Sequence, residues 1–229
     1  MSEETLARDE ICEVGLSLFS RGLTFGSTGN ISVRLADGGW LMTPTNASLG
    51  RLDPAKLSRF DAVGRLVGGD PATKEAFLHF CMYGQRSDAR AVVHLHSTHS
   101  VAVSLLADID PRDALPPLTA YFVMRVNRLP LVPYFPPGDE TLARAVEALA
   151  GEHHAVLLAN HGPVVAGGET SGAAVDRIGV PAFRLGPEIA PGVPLMRTVG
   201  RAGGELQMAL KSGNFGGRDF FARALAMTH

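Results

Sequence analysis

The chain is poor in cysteine. Cys12 and Cys81 are the only two in 229 residues, far apart and in no CxxC pair. No disulfide framework can be built on them, and the count fits a reduced, cytoplasmic protein. It also lacks an excess of either charge: 21 Lys and Arg stand against 23 Asp and Glu, a formal net charge of −2. That balance argues against broad attraction to nucleic acid or to a membrane surface. No uninterrupted apolar run reaches the roughly 18 residues that a membrane span needs. The start, MSEETLARDEI, is acidic and has no apolar stretch, so no signal peptide is expected. Internal repeats and low-complexity tracts are missing too. What remains is an ordinary globular composition, 45% apolar and 19% charged. A chain of this length can form one large domain or two small ones and hide roughly 70% of its unfolded surface.

Periodicity supplies the elements. Residues 5–21 carry Ile11, Val14, Leu16, Leu18 and Phe19 near helical spacing, with Gly22 as a C-terminal stop. NISVRL alternates like a strand, ADGG reads as a tight turn, and WLMTP as a second strand. Residues 72–85, ATKEAFLHFCMYGQ, form a helix whose apolar face is expected at Ala76, Phe77, Phe80, Cys81 and Tyr83. ARAVVHLH at 89–96 is a strand, THSVAVSLLA at 98–107 a helix, and LPLVPYFPPGDE a short strand with a Pro-rich loop. TLARAVEALAG at 141–151 is a helix ended by Gly151, and HAVLLANHGPVVAGG at 154–168 reads as two buried strands broken at NHG. The sum is an α/β chain with a mixed sheet.

VVHLHSTHS, residues 92–100, holds three histidines in six positions. In a strand, residues i and i+2 share a face, so His94 and His96 project together, about 6–7 Å apart at Cα, while Leu95 faces the other way. Two such imidazoles can close on one metal ion. His99 lies beyond, in the next element, and need not join them. His161, in LLANHGPV, ends another apolar strand and is the best third candidate. Three neutral imidazoles leave an open position, the pattern of a catalytic zinc. An HxH on a strand can also be plain packing. His79, His153, His154 and His229 have no comparable context and are read as surface or core residues.

Glu75 opens the 72–85 helix, where its charge suits the positive helix N-terminus; it is either a catalytic carboxylate or an ordinary first-turn Glu. STGN at 27–30 and TPTNAS at 43–48 present N–H groups and hydroxyls that suit a phosphate, or serve turns.

STGNISVR, LMTPT, ATKEAFLHF, AVVHLHSTHS and LLANHGPVVAG occur in this order over residues 5–168. Together they resemble the class II aldolase family of fuculose-phosphate aldolase and ribulose-phosphate 4-epimerase. VVHLHSTHSVAVS and RLPLVPYFPPGDE are similar to the 3-oxo-tetronate 4-phosphate decarboxylases within it. The resemblance implies a mixed or antiparallel central sheet flanked by helices. It implies that His94, His96 and His161 bind one divalent metal, zinc by expectation, and that Glu75 is the general acid/base. Thr28, Gly29 and Asn30, with Thr45, Asn46 and Thr73, would hold the substrate phosphate, although the family often carries Ser at position 73 and Gly or Ser at 46 and 47. Tyr121 stands where the family often has a catalytic tyrosine reaching a neighbour's site, and the assembly implied is a homotetramer. The partner is a small phosphorylated sugar acid. The activity implied is decarboxylation to dihydroxyacetone phosphate through a metal-stabilised enediolate. Aldolase or 4-epimerase activity uses the same site, and a metal-binding but catalytically impaired module is the remaining alternative.

After VVAGG the family pattern stops. GGETSGAAV, RLGPEIAPGVP and ALKSGNFGGRDFF resemble instead the C-terminal end of the four-carbon acid sugar kinases. Residues 169–229 are therefore expected to be an atypical α/β tail, a fusion remnant of a neighbouring kinase gene. Within it a short helix after GGETSG, a strand at AFRL, a strand in LQMAL and a final helix are expected. No kinase activity is expected of it.

Overall fold

The computed structural model describes residues 2–117, 120–136, 139 and 141–168, together with the strands Arg184–Ala190, Val193–Arg197 and Gln207–Ala209. The side chain of Tyr121 and those of the last three strands lie outside that description. The chain divides into two units, Met1–Gly179 and Val180–His229.

In the first unit helix α1 (Glu3–Ser20) starts at Ser2, whose hydroxyl accepts from the Thr5 N–H, and ends before Gly22 at a φ of 69°. Eight strands form one sheet: β1 (Asn30–Arg34), β2 (Trp40–Met42), β3 (Ser58–Phe60), β4 (Leu66–Gly68), β5 (Ala91–His94), β6 (Leu131–Val132), β7 (Ala155–Leu158) and β8 (Gly162–Gly167). Their order is β4-β3-β2-β1-β5-β8-β7-β6. Every pair is antiparallel except β6 with β7, so the sheet is mixed, as its sequence pattern predicts. Helices α2 (Ala76–Gln85), α3 (Thr98–Ser104), α4 (Ala120–Arg125) and α5 (Thr141–Ala150) complete the unit.

The period of two along the strands sorts two cores. Ile31, Val33, Val93 and Leu95 pack with Ile11 and Leu18 of α1. Val92, Val156, Leu158, Val164 and Ala166 pack with Leu78 and Met82 of α2 and Val146 of α5. His94 and His96 therefore share the α2 face with Val92, and Leu95 lies fully buried in the opposite core.

Four local expectations need correction. On α1, Leu16 and Phe19 are exposed, because Ala7, Ile11, Gly15 and Leu18 form the inward stripe. On α2 the inward residues are Leu78, His79, Met82 and Tyr83; Phe80 is only half-buried, with edge contacts to Trp40 and Phe60. The helix begins at Ala76 rather than 72, since residues 72–74 are engaged with the TPT segment through the Pro44–Ala72 bridge and the Thr73 N–H to Thr43 carbonyl bond. Regular β5 ends at His94, yet the Leu95 N–H still donates to the Pro163 carbonyl, which carries the extended chain to His96.

In the second unit β9 (Arg184–Ala190), β10 (Val193–Arg197) and β11 (Gln207–Ala209) form an antiparallel sheet in the order β11-β10-β9. Its register shifts at Pro194, a residue with no N–H to give the ladder. The strands expected at AFRL and LQMAL overlap β9 and β11; the helices and Gly-rich loops expected there lie outside the described residues. No helix among the described residues is long and apolar enough to cross a membrane.

Candidate metal centre

The end of β5, the β7–β8 turn and the start of α2 converge at one point. His94 Nε2 lies 3.0 Å from His96 Nε2 and 3.4 Å from His161 Nε2. Glu75 Oε1 lies 3.0 Å from His161 Nε2, and its Oε2 3.6 Å from His94 Nε2. All four donor atoms fall within 4.8 Å of one another. Ligands held at about 2.05 Å on a tetrahedral ion stand roughly 3.3 Å apart, so the imidazole spacing fits one small cation. Three lone pairs aimed at one spot without such a cation would repel.

The surroundings prepare these rings. His94 is fully buried, and its Nδ1 donates to the Pro163 carbonyl at 2.9 Å, which leaves Nε2 as the free lone pair. Burial pushes the His96 imidazole down to about 3, and the like charges of His94 and His161 add to this, so it is neutral near pH 7. For Glu75 burial pushes up, but positive charge placed on the His94 and His161 side of its carboxylate outweighs it and holds it well below the usual carboxylate range. A cation at this centre, proton or metal, thus keeps Glu75 ionised.

Backbone geometry brings His161 in. Asn160 has a φ of 59° and Gly162 of 145°, and a Cβ on Gly162 would meet the Leu95 carbonyl oxygen at 2.1 Å. Only glycine lets β8 start this close to the end of β5. Gly162→Ala is expected to lower stability by at least ~2 kcal/mol, from clash and backbone strain combined. It should also lower metal content. A melting curve with metal analysis on one sample measures both.

A cavity of about 780 Å³ opens beside the centre. Thr28, Gly29, Asn30, Thr45, Asn46 and Thr73, the six residues expected at the phosphate, all line it. The Asn30 side chain, however, is committed inward: it is buried, and its amide nitrogen donates to Glu75 Oε2 at 2.7 Å. Lys74 lines the same cavity and escapes sequence reasoning, where it reads as an ordinary helix-start lysine. Tyr121 falls in α4, and its side chain is outside the described residues. His99 is not among the four converging residues. His79, read from the sequence as lacking context, is fully buried beneath Asn30.

The model of the class II aldolase and adducin N-terminal domain matches residues 9–180. A 3-oxo-tetronate 4-phosphate decarboxylase of Cupriavidus necator is 50% identical over 165 residues, 72% of this chain and 76% of that one. The crystal structure of YgbL from Klebsiella pneumoniae superposes with a TM-score of 0.74 at 43% identity, covering 77% of this chain and 85% of that one. A C-terminal segment matches a 3-oxo-tetronate kinase of Methylobacterium radiotolerans, 72% identical over 64 residues, which is 28% of this chain but only 15% of the kinase.

Proposed function

The chain belongs to the class II aldolase and adducin N-terminal domain family, and from that premise we propose that it decarboxylates a 3-oxo-tetronate 4-phosphate. The observation that carries this reading is the convergence of His94, His96, His161 and Glu75 at the wall of a cavity lined by hydroxyls, amides and Lys74. Half-identity to a decarboxylase, over most of both chains, selects that reaction from the others the family performs.

His94, His96 and His161 would hold a divalent ion, and the all-imidazole set favours zinc. Such an ion supplies Lewis acidity that stabilises negative charge on the substrate oxygens. The chain's own residues do the rest. Thr28, Gly29, Thr45, Asn46 and Thr73 bind the phosphate, and Lys74 brings countercharge for an anionic substrate. The C1–C2 bond breaks, CO2 leaves, and the electron pair stays on C2 in conjugation with the C3 ketone. Glu75 then delivers to C2 a proton drawn from water, and dihydroxyacetone phosphate results. A reduced cytoplasmic setting agrees with two free cysteines, and a homotetramer with Tyr121 reaching a neighbour's site agrees with the family resemblance.

The test is direct. Metal-loaded protein is given each enantiomer of the phosphorylated oxo-acid, and CO2 and dihydroxyacetone phosphate are measured together. Equimolar formation is expected from one enantiomer. Failure with both, with condensation of dihydroxyacetone phosphate onto an aldehyde, would make the protein an aldolase. Metal binding with neither reaction would make it an impaired module.

Residues 169–229 are read as a remnant fused from a kinase gene. What supports this is the kinase match, strong in identity but confined to a small part of that enzyme. Millimolar ATP should then leave the melting temperature unchanged, because a ligand with no native-state site cannot stabilise it. A clear ATP-dependent rise would mean that the segment is a working nucleotide-binding element.

A further inference from the structure

The buried side chains between β1 and α2 form a single hydrogen-bonded line that ends on Glu75. Glu75 at the N-cap of α2 and His79 and Tyr83 within it recur every four residues and share the side of the helix that faces β1. Asn30 and Ser32 alternate on β1 and face them. Tyr83 Oη lies 2.9 Å from Ser32 Oγ, and Ser32 Oγ 2.7 Å from His79 Nδ1. His79 Nε2 lies 2.5 Å from Asn30 Oδ1, and Asn30 Nδ2 donates to Glu75 Oε2 at 2.7 Å.

Donor and acceptor rules give this line one direction. An ionised carboxylate only accepts, so the Asn30 NH2 group must face Glu75. Asn30 Oδ1 then faces His79 and requires a proton on Nε2. A neutral imidazole has one N–H, so Nδ1 accepts from the Ser32 hydroxyl, which in turn accepts from Tyr83. Burial pushes the His79 imidazole down to about 3 and holds the Tyr83 phenol well above its ordinary value, so the ring stays neutral and the phenol keeps its proton. With the opposite tautomer, Asn30 would rotate and turn its carbonyl oxygen on the carboxylate.

We propose that His79 is a positioning residue: its Nε2–H tautomer locks the Asn30 amide, which holds Glu75 by Oε2 and reserves Oε1 for the transferable proton. Oε1 makes the closer approach to the imidazole cluster, 3.0 Å from His161 Nε2 against 3.6 Å for Oε2 from His94 Nε2. None of the three residues behind Asn30 lines the cavity. The inference rests on Glu75 as the proton carrier, but the tautomer itself can be examined without turnover.

Two measurements test it on the full-length, metal-loaded protein. The first is 15N solid-state NMR of histidine-labelled protein, with the His79 signal assigned by its loss in His79→Gln. Protonation at Nε2 alone is expected; protonation at Nδ1, or at both nitrogens, near pH 7 overturns the proposal. The second compares kinetics. A glutamine at this position can place its amide N–H near the site of Nε2, whereas a leucine cannot. His79→Leu should lower kcat roughly 10–100-fold, the usual cost of removing an orienting partner. KM and metal content should stay near wild type, and His79→Gln should recover most of the loss. Equal kcat for wild type and His79→Leu overturns the proposal and leaves the decarboxylase reading intact. Should His79→Leu fail to fold, His79→Gln and the NMR still decide: loss of kcat in His79→Gln equal to that of Asn30→Ala would exclude rescue through the amide. Absence of CO2 release by the wild type, with the Nε2–H tautomer observed, would overturn the reaction and not the hydrogen-bonded line.

Discussion

His96→Ala is expected to remove bound metal and turnover together. His96 gives one of three imidazole nitrogens, 3.0 Å from its neighbour on His94, and nothing else in the converging group replaces it. A two-imidazole site with one carboxylate holds a divalent ion far more weakly than three converging imidazoles, one of them oriented by a buried hydrogen bond. The ion is asked for several kcal/mol of charge stabilisation; at about 4 kcal/mol its loss lowers the rate roughly 10³-fold. His94→Ala should do the same and also destabilise the fold, since His94 is fully buried and bonded to Pro163. His99→Ala is the control, because His99 stands outside the converging group. Metal analysis after dialysis, with circular dichroism to check folding, reads the result. Full metal occupancy in His96→Ala would remove the imidazoles from the centre.

The convergence of His94 and His96 could be read from the sequence because it is built on strand periodicity. AVVHLH places Val92, His94 and His96 on one face by counting alone, and the two cores divide along that count. NHG could be read as a break because Asn and Gly both tolerate positive φ, as Asn160 and Gly162 do. The β3–β4 hairpin and α4 are not legible in this way: SRF, LVG and AYFVMR are too short to show a period. The line through His79 escapes for a different reason. The Glu75-His79-Tyr83 spacing is present in the sequence, but Phe77 and Phe80 dominate the apolar pattern of that helix. A buried polar stripe declares itself only when the opposing residues are known. Here they are Asn30 and Ser32, 47 to 49 positions away in the chain. The sequence accordingly points Asn30 at the phosphate, whereas its side chain holds the carboxylate.

Glu75→Gln is the second large effect, and it separates chemistry from binding. Glutamine keeps the size of the side chain and can still hydrogen-bond, but it cannot carry the proton to C2. Metal content should remain, since three imidazoles are untouched, while kcat falls by roughly 10²–10⁴-fold, the usual worth of general acid–base catalysis. KM should move little if Glu75 acts mainly in the transition state. The amide also tests the hydrogen-bonded line from α2. If the substituted side chain turns its oxygen toward Asn30 Nδ2, its NH2 group occupies the place of Oε1, beside His161 Nε2. That imidazole nitrogen would then face a donor in place of an anion, and metal should be held slightly less tightly rather than lost. Normal turnover in this variant would mean that water or another residue protonates C2. Complete loss of metal would mean instead that Glu75 is a ligand, which its 3.0 and 3.6 Å approaches to the imidazole nitrogens would also allow.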